Sequence, residues 1–222
     1  DPNVGIVDVP DARLQKLADI VHPGRIVPAT VEFVDIAGLV KGASEGEGLG
    51  NQFLANIRNT DAICEVVRFF SDPDVIRHES SVDPQSDMDT IQTELVLADL
   101  GTLDRAIPKL EKEARRDKAN APRLAIAKRL QDWLNEGHRA ATLDMTDEER
   151  AAVHDLFLLT MKPILYVANV DEDALGEEPP SIDGATVVPI SAKVESELID
   201  LEPDEAAEFL ADLGLERSGL ET

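Results

Sequence analysis

Val34-Asp35-Ile36-Ala37-Gly38-Leu39-Val40-Lys41-Gly42-Ala43-Ser44-Glu45-Gly46-Glu47-Gly48-Leu49-Gly50 is the stretch that decides the fold class of this chain. It begins where an apolar strand, Val31 to Val34, ends on an acid. In open α/β sheets the carboxyl ends of buried strands are where ligands bind, and Asp35 stands at such an end. Gly38, three residues on, lets the main chain approach a ligand that a side chain would block. A backbone N–H at Gly38 suits a terminal phosphate, and the Asp35 carboxylate suits the Mg²⁺ side of it, through water. Gly42, Gly46, Gly48 and Gly50 then form a loop that can order and disorder with the state of the ligand.

Working outward, residues 4–9 read as a strand, and Asp11 to Val21 carries helical spacing at Leu14, Leu17, Ala18 and Val21. His22-Pro23-Gly24 ends that helix. Asn51 to Asn59 is a short helix and Ala62 to Phe70 an apolar strand. Strands alternating with helices predict an α/β fold with a mostly parallel sheet. From Pro84 to about Arg116 the period becomes purely helical, with Asp87 or Asp89 available as the cap. Pro122 to Glu136 is a second helix, stopped by Gly137. The two predict an antiparallel helical hairpin that interrupts the sheet. Thr146-Asp147-Glu148-Glu149 caps a further short helix. Pro163 to Ala168 and Thr186 to Ile190 return as strands, and Pro203 to Leu213 is a last helix.

Composition narrows the function classes. The chain has 222 residues, with 45 Asp and Glu against 21 Lys and Arg, a net charge of −24. Such a surface repels nucleic acid at long range, which argues against a sequence-specific DNA reader. Arg105, Lys109, Lys112, Arg115, Arg116 and Lys118 form a local basic stretch, whose simplest reading is a solvated helix face. No apolar run approaches the roughly 18–20 residues of a membrane span. Cys64 is the single cysteine, so no internal disulfide can form, and a cytoplasmic location is the expectation. The four histidines show no metal-ligand spacing.

Two further motifs sit at strand ends. Asn169-Val170-Asp171-Glu172 follows one strand, and Ser191-Ala192-Lys193 the next. Guanine-reading enzymes use N-K-x-D at the first position, with the Asp carboxylate accepting from guanine N1–H and the exocyclic amine. Here the acid is one methylene longer and Val170 replaces the Lys. A displaced carboxylate pairs poorly with guanine, and an unpaired buried group costs about 1–3 kcal/mol.

Together these strings resemble the Obg-related branch of P-loop NTPases, and more closely the YchF / Obg-like ATPase family. The resemblance implies a Mg²⁺-dependent ATPase switch, a G-domain carrying a helical insertion, preference for ATP with GTP weaker, and association with the ribosome, by resemblance its large subunit. It implies nucleotide-binding roles for Asp35, Gly38, Asn169, Val170, Glu172, Ser191, Ala192 and Lys193, with Asp35 on the metal side. Leu39 cannot orient a water, and the family assigns catalysis to a His in the loop after the next strand. His78 is the candidate, although the family spacing from Arg68 falls on Arg77. The implied division is residues 1–84 and 161–222 as two parts of the G-domain, with 85–160 as the helical insertion. No G-x-x-x-x-G-K-[ST] occurs in the sequence. In the family that segment precedes the part matching Asp1, and a TGS domain follows the part matching Leu220. Between the strands ending at Asn169 and starting at Thr186, Pro179-Pro180 opposes the crossover helix that the family has there. The expectation is therefore that these residues are pieces of a longer polypeptide. Two alternatives stay open: a GTPase of the same superfamily, or an inactive G-domain remnant acting as a helical-arm interaction module.

Overall fold

The computed structural model describes residues 3–36, 49–70, 83–175, 177, 185, 187–215 and 217–219, with only the backbone at 49–52 and 203. The chain divides into two compact units, Asp1–Val40 and Lys41–Thr222.

In the first unit, β1 (Asn3–Asp8) pairs antiparallel with β2 (Thr30–Asp35), in the register Asn3↔Asp35 to Asp8↔Thr30. Between them α1 (Ala12–Val21) starts at Asp11, whose carboxylate accepts from the Arg13 N–H at 2.9 Å. It ends at His22, which turns into the left-handed region with φ 46°. The Arg13 guanidinium forks onto the same carboxylate and holds Asp11 down to about 2. The strand expected to be buried, Val31 to Val34, is not: Val31 and Phe33 are exposed, as are Val4, Ile6 and Val7 of β1. Within this unit a two-stranded ribbon and one short helix cannot cover both faces.

The second unit contains the parallel sheet. Its order is β3 (Ile63–Arg68), β4 (Ile164–Asn169), β5 (Val187–Ile190), all parallel. The α2 helix (Leu49–Arg58) precedes β3. Between β3 and β4 the chain builds α3 (Pro84–Arg116), α4 (Ala121–Asn135) and α5 (Asp147–Val153). After β5 come α6 (Ala192–Leu198) and α7 (Pro203–Asp212). An α/β fold whose parallel sheet is interrupted by a helical hairpin is therefore what the sequence builds.

The helices form for readable reasons. Pro84 occupies the first turn of α3, where its missing N–H costs nothing. The cap is Asp83, which accepts from Ser86 N–H at 3.1 Å, and not Asp87 or Asp89. Gly137, with φ 85°, ends the turn after α4. Thr146 and Glu149 complete a reciprocal capping box at α5. Leu103 and Leu110 of α3, Ala127, Leu130 and Leu134 of α4, and Val153 of α5 share one buried cluster. A smaller cluster, Val67, Met88 and Tyr166, seats the start of α3 on the sheet.

One polar network fixes where the chain leaves the helices. Asp99, fully buried in α3, accepts from Leu159 N–H at 2.7 Å, Thr160 N–H at 2.8 Å and the Thr160 hydroxyl at 2.7 Å. Burial pushes its carboxyl up, against the pull of those three donors. The Thr160 Oγ1 in turn accepts from Ala140 N–H at 3.0 Å. Glu65, buried in the middle of β3, is treated less well. Its Oε1 has no hydrogen-bond partner, and burial pushes its carboxyl up to about 7, with Arg139 opposing.

Two outcomes are expected. Asp99→Ala strands three buried donors and lowers unfolding free energy in urea by about 2–4 kcal/mol. For Glu65, the unfolded carboxyl titrates near 4.5 and the folded one near 7. The folded state holds the extra proton between those values, so its stabilising contribution is complete below 4.5 and is lost as pH rises through 7. Glu65→Gln flattens that decline, which amounts to roughly 3 kcal/mol, in urea titrations across this range.

Candidate functional site

The carboxyl edge of the parallel sheet is set by register. Arg68 lies opposite Asn169, and Asn169 opposite Ile190, so three strands end together. The ladder continues one step past the strands, with Phe69 N–H donating to Asn169 O and Val170 N–H to Ile190 O, both at 2.8 Å. Val170 is buried there. The crevice outside such an edge is where open α/β sheets take ligands.

The two expected base-side motifs meet at this edge. Asn169 Oδ1 accepts from Ala192 N–H at 3.0 Å, which joins the end of β4 to the first turn of α6. With Oδ1 so engaged, the amide nitrogen Nδ2 remains a donor, the group that an N7 acceptor on either purine would take. Lys193 Nζ donates to Glu172 Oε2 at 2.7 Å, closing a second link between the loops. This bond holds the Lys193 ammonium above its usual range. Both side chains are exposed, so the pair contributes little to stability. Its effect is on position: the Glu172 carboxylate is already occupied. Ser191 is buried, and its carbonyl accepts from Glu195 N–H at 2.9 Å as α6 begins. The S-A-K segment is thus a helix start, where the sequence alone suggests only a loop.

Arg68 joins this edge although in the sequence it serves only as a landmark. Its Nε donates to Phe70 O at 3.1 Å and its guanidinium stands 4.3 Å from the Phe70 ring centre. Only the register of β3 on β4 reveals that neighbourhood, and no local sequence signal carries it. The C-terminal stretch also closes in here. Gly219 N–H donates to Glu195 Oε1 at 2.7 Å, and a Cβ on Gly219 would meet Ile190 at 2.8 Å.

Asp35 ends β2 in the first unit and is exposed. Among the described residues no group of three or more His, Cys, Asp or Glu is placed to hold a metal ion. One carboxylate acting with water and phosphate oxygens is the ordinary way of holding Mg²⁺, so Asp35 fits that role. Gly38 and His78 lie outside the described residues, as does most of the connection from Leu175 to Val187. No helix among the described residues is long and apolar enough to cross a membrane.

The family described as 50S ribosome-binding GTPase matches residues 11–99. The ribosome-binding ATPase YchF of Pasteurella multocida is 47% identical across 99% of this chain, and that of Bacillus subtilis 46% identical across all of it. This chain spans 63% and 64% of the length of those two relatives. Among solved structures, the YchF GTPase of Schizosaccharomyces pombe superposes with a TM-score of 0.81 at 33% identity. That match covers 97% of this chain and 62% of the yeast one.

The link between the loops is testable. Asn169→Ala removes the Ala192 N–H acceptor, and hydrogen exchange at the Ala192 amide is expected to accelerate by about tenfold, with distant amides unchanged.

Proposed function

The chain belongs to the YchF family of Obg-related P-loop NTPases, and from that premise we propose that it is the switch and base-reading part of a Mg²⁺-dependent ATPase that acts on the ribosome. In this reading residues 1–84 and 161–222 are two parts of one G-domain, and 85–160 is its helical arm. The P-loop and a TGS domain belong to the remainder of the full-length protein. Its place is the cytoplasm, its partner the large ribosomal subunit.

The observation that carries the choice of base is the Lys193–Glu172 bond. A guanine would need the Glu172 carboxylate for its N1–H and exocyclic amine, and would have to displace Lys193 to obtain it. Adenine makes no such demand. It presents an acceptor at N7, which the Asn169 Nδ2 can meet, and an amine at N6. Val170, buried beside them, supports an apolar wall where guanine readers carry a Lys. Ala192 holds the second loop against the first, its N–H donating to Asn169 Oδ1.

Asp35 would hold Mg²⁺ through water, and the ion would supply charge neutralisation between the β- and γ-phosphates. Gly38 would sense the γ-phosphate by its N–H, and the glycine-containing stretch from Leu39 to the start of α2 would order in response. Leu39 cannot position a water, so the polar group for hydrolysis comes from elsewhere, and His78 is the candidate.

The test is the ratio of ATP to GTP affinity of the full-length protein, by calorimetry with Mg²⁺. The parent is expected to prefer ATP. The double variant Val170→Lys, Glu172→Asp restores the guanine-reading pattern and should move the ratio toward GTP by tenfold or more. An unchanged ratio would remove the base-reading assignment.

A further inference from the structure

Among the described residues, the side-chain hydrogen bonds between α2 and other elements gather at its last residue. Arg58 Nη1 donates to Phe157 O and Nη2 to Thr102 Oγ1, each at 3.0 Å. Thr102 belongs to the middle of α3, and Phe157 to the turn between α5 and β4. The Arg58 main chain is gripped as well. Lys162, just ahead of β4, donates to the carbonyls of Arg58 and Thr60. Arg139 fixes that lysine in turn, donating to its carbonyl at 2.8 Å. One residue therefore joins α2, the arm and the entry to β4.

The backbone at Phe157 bears on what this joint is for. Phe157 has φ 48°, in the left-handed region that bulky side chains avoid. Its ring stays exposed, so side-chain burial does not offset the strain. Strain of this kind persists where the surroundings impose it, and here the surroundings include the grip of Arg58 on the Phe157 carbonyl. Both acceptors of Arg58 are neutral groups, so the hold is directional more than Coulombic. The guanidinium charge reaches one further group. Burial pushes the Asp99 carboxyl up, and Arg58 is among the groups that pull it back. The residue that anchors α2 thus also steadies the carboxylate that sets the entry to β4.

The other end of α2 begins at Leu49, directly after the glycine-containing stretch that would order with nucleotide. Ten residues of helix make a stiff rod about 15 Å long. Leu54 and Ile57 are buried along it. A displacement at the start of such a rod is carried to its end, where Arg58 must either move Thr102 and Phe157 or release them.

We propose that Arg58 is a positioning residue that couples nucleotide state to the helical arm, with α2 as the lever and Thr102 and Phe157 as the points of contact. The proposal rests on the ATPase reading above and adds a means of regulation to that site. Coupling of this kind is reciprocal. The factor by which nucleotide changes the binding of a partner to the arm is the factor by which that partner changes nucleotide affinity.

The experiment is hydrogen exchange of the full-length protein, read by mass spectrometry with Mg²⁺ and either a non-hydrolysable ATP analogue or ADP. The segments followed are 90–110 of α3 and 157–162. In the parent their exchange rates are expected to differ about fivefold or more between the two nucleotides. Arg58→Ala should bind both nucleotides and bring that ratio close to one. Thr102→Val removes the acceptor on α3 without touching α2, and should lower the ratio in the same direction. The double variant should do no more than Arg58→Ala alone, because both changes remove one interaction. Arg123→Ala, which breaks the exposed pair with Asp155, should keep the parent ratio. A purely structural Arg58 would give faster exchange in both nucleotide states and leave the ratio as it is, which overturns the proposal. Should Arg58→Ala fail to fold, Thr102→Val decides by the same ratio. If the parent binds ATP but its segments exchange alike in both states, the coupling fails and the ATPase reading survives. If the parent binds neither nucleotide, both fail.

Discussion

Asp99 is the constraint on which the second unit depends. The parallel pairing of β3 with β4 requires that the chain, after an excursion through three helices, return at one register. A single buried carboxylate sets that point by gripping two consecutive N–H groups and a hydroxyl just ahead of β4. The neighbouring residues repeat the hold at lower strength. Lys162 Nζ donates to the carbonyls of Arg58 and Thr60, and Arg139 donates to the Lys162 carbonyl. Desolvating a carboxylate is costly, and three donors largely offset it while specifying direction, which an apolar neighbour could not do.

Everything at the sheet edge follows from that register. Asn169 stands beside Arg68 because β4 enters where Asp99 directs it, and β5 then aligns on β4. Side chains on two loops can join only if those loops leave the sheet at the same height. The Asn169–Ala192 and Glu172–Lys193 bonds are therefore consequences of strand alignment as much as of the residues that make them. A ligand arriving there meets groups already oriented, and little ordering entropy remains to oppose it.

Much of this is legible in the sequence, for identifiable reasons. The span of α3 can be read because Pro84 and the sustained 3.6 period mark it. The Thr146 box and the Gly137 stop are local signals and mean in the structure what they mean in the sequence. The sequence offers Asp87 or Asp89 as the cap of α3, each with a Gln or Glu about a turn later, and neither is the cap. A proline in the first turn outweighs that spacing and makes the preceding residue, Asp83, the cap. The exposure of β2 is not legible, because an apolar run states that a strand wants cover and not whether it has it. Of the site, Asn169 and Ser191 can be placed at strand ends from sequence. The pairing of Glu172 with Lys193 cannot, since it arises between loops that only the sheet brings together.

The staple between Asp99 and Thr160 also bears on the order in which the molecule folds. Pairing β3 with β4 directly would mean closing a very long loop of chain, with the entropy loss and slow search that non-local strands entail. The α3–α4 hairpin joins residues close in sequence and can form first. Once Asp99 has captured Leu159 and Thr160, the arriving strand is tethered a few residues from its partner. The arm thus converts a distant pairing into a near one. During synthesis β3, with Cys64 and Val66 exposed on its outer face, must wait for the arm to emerge before it can pair with β4.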